Sequence, residues 1–254
     1  MTEPLLQIQQ VSKSYYHKTG WFRGRRSLAL EPISFDLHAG ETLAIMGETG
    51  SGKSTLAKLI AGVEMPSSGQ FLLRGEVLEP YNYQQRCRHI RMIFQDSLSS
   101  LNQQTTIGQQ LLEPLRFNTL LTLAEQQQKV LTTLRQVGLL PEHYNFYPHM
   151  LSSGQQQRVC IARAIILEPQ IIVADEALVA LDPSIRAQII NLILDLQQDM
   201  GISFILISHS AEIVKHVADK ILILHHGKLV EFGTTEALLS NPQQQLTRLL
   251  LAGE

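Results

Sequence analysis

The sequence carries only two cysteines, Cys87 and Cys160, and one tryptophan in 254 residues. The cysteines lie far apart and lack CxxC spacing. That excludes a disulfide framework and a cysteine zinc module, and free thiols fit a reducing compartment. Excess charge of either sign is also missing. The net charge of −2 exerts no global pull toward nucleic acid or anionic lipid. No apolar run approaches the roughly 20 residues needed to cross a bilayer. The longest, Ile202 to Ile207, is strand-sized and broken by Ser203. The opening Met1-Thr2-Glu3-Pro4 has neither the basic nor the apolar region of a signal peptide. Heptads, internal repeats and Gly/Pro-rich linkers are absent as well. A cytoplasmic protein is expected, with 44% hydrophobic residues to build one large α/β domain or two small ones.

What is present alternates between two periods. Leu6, Ile8 and Val11 mark a half-buried strand, and strand signals return at Ile33 to Leu37 and Leu43 to Met46. Between them, Lys18, Gly20, Arg23, Gly24, Arg25 and Arg26 read as a solvated loop. Thr55 to Ala61 reads as a helix, and Phe71 to Leu78 as a strand following the Ser67-Ser68-Gly69 turn. From Thr106 to about Gly138 the pattern is helical. The last third alternates: strand Ile171 to Ala174, helix Pro183 to Met200, strand Ile202 to Ile207, helix Ala211 to Val217. Strands alternating with helices imply a parallel sheet with right-handed crossovers, so the fold class is α/β. Asn241-Pro242 reads as the start of a last helix.

Gly47-Glu48-Thr49-Gly50-Ser51-Gly52-Lys53-Ser54, followed by Thr55, fits G-x-x-x-x-G-K-[ST]. The glycines let the backbone curl until successive N–H groups face phosphate oxygens, and the following helix adds its positive end. Lys53 reaches the β- and γ-phosphates, and the Ser54 hydroxyl binds Mg²⁺. Chance would produce the pattern in roughly one chain of this length in a hundred. This copy also stands between a predicted strand and a predicted helix, which is the context the motif needs.

A second element is the apolar run Ile171-Ile172-Val173-Ala174 ending in Asp175-Glu176. At the carboxyl end of a parallel strand, Asp175 can hold Mg²⁺ through water and Glu176 can polarise an attacking water. Leu151-Ser152-Ser153-Gly154-Gln155 then opens a helix with small hydroxyl and glycine residues, a pattern suited to an anion. A chain with one phosphate site already in place has use for a second only if nucleotide is gripped from two sides. His225-His226 precedes Gly227 between two strand-like runs and reads as a turn rather than a metal site.

Together these residues resemble the ATP-binding cassette family, whose signature reads LSGGQ. The resemblance covers essentially the whole chain. Gln95, after the strand Arg91 to Phe94, matches the family's Q-loop glutamine, which contacts Mg²⁺ and the attacking water. Ala180-Leu181-Asp182 matches the D-loop, and His209 matches the switch histidine at the γ-phosphate. Tyr15, with Tyr16 as the alternative, falls where the family stacks an aromatic on adenine. Phe94 to Asn102 and Tyr147-Pro148-His149 look like blocks of the dipeptide and oligopeptide importer branch. Within that branch, Thr19 to Arg23, Met150 and Asp175 to Leu178 most resemble peptide systems linked to antimicrobial-peptide resistance. Ser153 departs from the pattern by replacing the first signature glycine. Ser97 and Gln103 replace prolines, and Met150 replaces a glutamate.

The resemblance implies a P-loop NTPase with a RecA-like parallel core, an N-terminal antiparallel β subdomain and a helical subdomain inserted at roughly residues 97–165 of one cassette, 1–254. It implies ATP and Mg²⁺ as ligands, and catalytic roles for Glu176, His209, Gln95 and Lys53. It further implies two integral membrane permease subunits, a second and different ATPase subunit, and a periplasmic peptide-binding protein acting indirectly. The site of action would be the cytoplasmic face of a bacterial inner membrane. Polyamines are the alternative cargo. Nucleic-acid and ribosome-acting cassette proteins are disfavoured, because coiled coils, zinc modules and a second cassette are missing.

Overall fold

The computed structural model describes residues 3–18, 24–96, 99–177 and 181–253. In chain order the first strands are β1 (Leu6–Lys18), β2 (Gly24–Leu37) and β3 (Thr42–Gly47), followed by helix α1 (Lys53–Ala61). Next come β4 (Ser68–Leu73), β5 (Glu76–Val77), α2 (Tyr83–His89) and β6 (Ile90–Ile93). Helices α3 (Ile107–Asn118), α4 (Leu123–Gln136) and α5 (Ser153–Ile165) precede β7 (Ile171–Asp175) and α6 (Pro183–Met200). The chain closes with β8 (Ser203–Ile207), α7 (Ala211–Val217), β9 (Lys220–His225), β10 (Lys228–Thr234), α8 (Thr235–Ser240) and α9 (Gln245–Ala252). These elements form two compact units, Met1–Arg86 with Ser203–Glu254, and Cys87–Ile202.

The first unit holds an antiparallel sheet in the order β2-β1-β4-β5 and a run of strands β10-β9-β3-β8. In that run β3 pairs in parallel with both β8 and β9, while β10 returns antiparallel to β9. The parallel strands are apolar along their length because both faces are covered. Leu43 to Met46, Phe204 to Ile207 and Ile221 to Leu224 are all buried. By contrast, β1 buries Leu6, Ile8 and Val11 and bulges between Ile8 and Val11, as a one-faced strand does.

The second unit pairs β6 with β7 in parallel and is otherwise helical. Thr106 and Thr122 each open a helix, α3 and α4, with a capping box. This splits the single helical stretch expected from sequence into two. Its inner face carries Leu111, Leu115, Val130 and Leu134.

Three local readings change. Lys18, Arg25 and Arg26, expected in a solvated loop, belong to β1 and β2, which remain paired from Tyr16↔Arg26 to Lys18↔Gly24. Thr19 to Arg23 lie outside the described residues. Phe71 to Leu78 is two strands, because Arg74 and Gly75 both adopt positive φ and turn the chain back on itself. Asn241 ends α8 instead of starting the last helix. The first N–H groups of that region, on Gln243 and Gln244, donate to the Glu231 carboxylate, and α9 begins at Gln245. A tertiary carboxylate takes the role that a local N-cap would have played.

Candidate functional site

β3 delivers the phosphate loop. Gly47 lies opposite Leu224 in the parallel register, so close that a Cβ there would stand 2.2 Å from the Leu224 carbonyl oxygen. Only glycine fits. Gly52 is the N-cap of α1 and supplies no side-chain cap, so the first N–H groups of that helix are left to other acceptors. Lys53 is buried and its Nζ donates to the carbonyl oxygens of Gly47 and Glu48, each at 2.8 Å. The ammonium is thereby held inside the curl of the loop.

His209 belongs to the same unit. β8 runs parallel to β3 with Ile207 opposite Ile45, and the Ser208 N–H donates to the Ile45 carbonyl. His209 therefore follows a strand end on the same carboxyl edge as Gly47, and it is exposed. Tyr15 lies in β1 with its hydroxyl 2.6 Å from Glu64 Oε2 and Lys13 Nζ 5.1 Å from its ring centre. Burial and the Glu64 carboxylate raise its phenol above the ordinary range, with the Thr55 hydroxyl opposing. Tyr15 is thus linked to the last residue of the phosphate loop. Tyr16, its neighbour along the strand, is 71% exposed.

The second unit carries the acidic pair. Asp175 is the buried last residue of β7, and Glu176 follows with φ of +50°. A non-glycine residue in that region costs on the order of 1 kcal/mol and concentrates at functional positions. Ile93 lies opposite Ala174 across the β6–β7 pair, so Gln95 and Glu176 leave adjacent strand ends. Gln95 Nε2 donates to Glu176 Oε2 at 2.9 Å. The expected Q-loop glutamine and the expected general base touch.

α5 begins at the signature. Ser152 is its N-cap: its hydroxyl accepts the Gln155 N–H, and the Gln155 side chain accepts the Ser152 N–H. This capping box does not engage the N–H groups of Ser153 and Gly154. Ser153 is exposed at the first helical position, whereas a Cβ on Gly154 would stand 3.1 Å from the Ile185 side chain. Leu151 is buried and anchors the turn. Asp182 is the N-cap residue of α6, preceded by buried Leu181. Ala180, Leu178 and Ser97 lie outside the described residues.

Sequence reasoning missed two supports. Buried Gln157 in α5 donates to the Ala177 carbonyl at 3.3 Å, tying the signature helix to the segment just after Glu176. A glutamine on the inner face of an amphipathic helix must find a partner, and that was the available signal. Buried Arg86 donates to the Leu59 and Ile60 carbonyl oxygens at 2.8–3.1 Å and so closes the far end of α1. Burial lowers its pKa to about 10, and its guanidinium lies 4.6 Å from the Phe71 ring centre. Nothing local in the sequence announces that partnership.

Ser54 in the first unit, and Gln95 and Asp175 in the second, are the candidate Mg²⁺ ligands, and each carries a side-chain oxygen, the donor type this hard cation takes. Among the described residues no cluster of three or more His, Cys, Asp or Glu side chains could hold a metal. A magnesium ion bound largely by substrate phosphates and water does not require one.

The loop geometry and the acidic strand end define a phosphate-loop nucleotide-binding ATPase. Residues 30–179 match the family model of the ABC transporter, and the chain belongs to that family. It is 48% identical, over all of its length and 94% of theirs, to the putrescine export system ATP-binding protein SapF of Escherichia coli K12 and to the peptide transport system ATP-binding protein SapF of Escherichia coli O6:H1. Against the dipeptide transport ATP-binding protein DppF of Escherichia coli K12 the identity is 42%, covering 99% of this chain and 77% of that one. Among solved structures, cbiO1 from Clostridium perfringens, part of an ABC transporter complex, superposes with a TM-score of 0.81 at 25% identity, covering 98% of each chain. The ATP-binding cassette MJ0796, in a post-hydrolysis dimer bound to ADP and Pi, gives 0.77 at 28% identity, covering 91% of this chain and 98% of that one. The expected fold class, a P-loop NTPase with an antiparallel N-terminal sheet and a helical subdomain, is the observed one. No helix among the described residues is long and apolar enough to cross a membrane.

Proposed function

We propose that this chain is the motor subunit of a peptide transporter, binding ATP on Gly47 to Thr55 and hydrolysing it with Glu176. Lys53 holds the β- and γ-phosphates, Tyr15 faces adenine, and His209 contacts the γ-phosphate. Glu176 polarises the attacking water, and Gln95 orients that water and the carboxylate. Ser54 directly, and Gln95 and Asp175 partly through water, would hold magnesium, which supplies charge neutralisation on the phosphate oxygens. The hydrogen bond from Gln95 to Glu176 is the observation that supports this reading most directly.

One cassette spans residues 1–254, with the helical segment at roughly 97–165 inserted in it. Two such cassettes meet head to tail, and the partner is a second, different ATPase. Leu151 to Gln155 and Asp182 of this chain serve the partner's nucleotide. The pair works at the cytoplasmic face of the inner membrane beneath two permease subunits, supplied by a periplasmic peptide-binding protein. Relatives described as peptide and dipeptide transport proteins support the cargo. A second cargo, a polyamine, is favoured by the equally similar relative described for putrescine export.

Glu176→Gln in the assembled transporter is expected to slow hydrolysis at least about 100-fold while ATP binding persists. Unchanged ATPase activity would overturn the role of Glu176. Transport of labelled oligopeptide against labelled putrescine, in cells with and without the chain, separates the two cargoes.

A further inference from the structure

Under the phosphate loop lies a hairpin that no motif covers. β9 ends at His225 and β10 starts at Lys228, with the pair Lys228↔His225 closing the turn. His226 and Gly227 take φ of +47° and +78°, the two left-handed residues of a type I′ hairpin. The Gly227 N–H donates to the Ser51 carbonyl at 2.9 Å, and the Gly227 carbonyl accepts the Glu31 N–H at 2.8 Å. A Cβ at Gly227 or at Gly52 would stand 2.8 Å from the same oxygen, that of Ala29. Loop, β2 and turn thus meet backbone to backbone, with no room for a side chain between them. One residue upstream, Leu224 is the strand residue that crowds Gly47. Beyond the backbone, His225 Nδ1 lies 3.5 Å from Glu48 Oε2, a side-chain contact without a hydrogen bond.

Glu48 is the only acidic residue in Gly47 to Thr55. Its carboxylate sits, 57% exposed, in a loop otherwise built to attract phosphate. The imidazole of His225 faces that carboxylate from the hairpin side. We propose that the turn His225 to Gly227 is a positioning element of the nucleotide site: Gly227 fixes the curl of the loop, and His225 holds the Glu48 carboxylate away from the phosphates. This rests on the reading that Gly47 to Thr55 binds ATP.

The test is equilibrium binding of ATP with Mg²⁺ to the full chain for wild type, His225→Ala, Glu48→Gln and the double variant. A carboxylate freed to come within about 4 Å of a phosphate repels it even in water, so His225→Ala should raise Kd roughly threefold to fivefold. With the carboxylate gone, the effect of His225 should vanish, so His225→Ala/Glu48→Gln should match Glu48→Gln. In the assembled transporter His225→Ala should raise KM and leave kcat unchanged, a split that general loosening of the fold would not produce. Wild-type affinity in His225→Ala, or a double variant as weak as His225→Ala, would overturn the role of His225. Absence of ATP binding by the wild-type chain would instead overturn the phosphate-loop reading beneath it.

Discussion

Two helix N-termini in this chain carry the anion-binding pattern of glycine and small hydroxyl residues, and they are built differently. α1 follows a glycine cap with no side-chain acceptor, and the glycine at Gly47 is dictated by a backbone oxygen 2.2 Å from where its Cβ would be. α5 is capped by its own Ser152 and Gln155, and its first residue, Ser153, stands exposed. At the phosphate loop the chain's own packing enforces the motif. At the signature Gly154 is crowded by Ile185, whereas Ser153 is exposed, and nothing among the described residues demands glycine at 153. If the signature covers a partner's nucleotide, any need for glycine at 153 comes from that nucleotide and not from the fold, and serine stands there without cost to folding.

The largest break in that comparison is Gly47→Ala. The added methyl would have to displace both the Leu224 carbonyl and the Ser51 hydroxyl, at 2.2 and 2.7 Å from it. We expect loss of detectable ATP binding together with destabilisation of about 3 kcal/mol or more, measured by isothermal titration and urea unfolding. Wild-type binding in this variant would show that the loop tolerates a side chain and that the contrast is unreal. Arg86→Ala comes next. It removes three hydrogen bonds to the carbonyl end of α1 and should cost about 2–4 kcal/mol. Arg86→Lys should recover only part, since one shorter-reaching ammonium nitrogen does not reproduce the planar pair of nitrogens, Nε and Nη2, that meets the two carbonyls. Wild-type stability in Arg86→Lys would mean that the charge, not the fork, is what matters.

Residues whose partners are fixed by local chain geometry were legible in the sequence. The phosphate loop, the strand before it, the acidic pair on β7 and the helix Pro183–Met200 all declare themselves by spacing and period. Strand ends were harder. Arg25 and Arg26 look like loop because charge and glycine suppress the alternating pattern, yet backbone pairing with β1 continues past them. Least legible were side chains whose partners lie far along the chain: Arg86 on the carbonyls of α1, Gln157 on the Ala177 carbonyl, Glu231 on the N–H groups before α9, and His225 beside the Glu48 carboxylate. Each is a polar residue whose reason lies many residues away, where no periodicity reaches.

Glu231 offers a smaller test of the same point, on a helix start held by a distant side chain. Burial pushes its carboxyl up, but the Thr247 hydroxyl and the N–H groups of Gln243 and Gln244, with Arg248 nearby, outweigh this and hold it below the ordinary range. A depressed folded pKa means stability that is present above the unfolded pKa and lost as pH falls through the folded one. Glu231→Gln should therefore cost about 1 kcal/mol near neutral pH. The gap to wild type should close in acid, as pH falls from the ordinary carboxylate range through the depressed folded pKa. A gap independent of pH would assign the effect to packing of Leu246 and Leu250 against the core instead of to the carboxylate.

Ser153→Gly should have the smallest effect on this chain and, if a second ATPase pairs with it, the most telling one on that pair. Ser153 is exposed at the first position of α5, and the capping box formed by Ser152 and Gln155 does not use its side chain. Replacing it should shift folding stability by no more than about 0.5 kcal/mol. ATP affinity of the isolated chain should stay at the wild-type value, because Gly47 to Thr55 is untouched. If the signature covers the partner's nucleotide, bare backbone at 153 lets its N–H approach that nucleotide more closely. ATP turnover of the assembled pair should then rise about twofold to threefold, a gain of under about 1 kcal/mol in transition-state stabilisation. The decisive measurement is steady-state ATPase of the complex beside ATP binding to the free chain. A change in the free chain with none in the complex would return the signature's function to the chain that carries it and remove the asymmetry between the two helix starts.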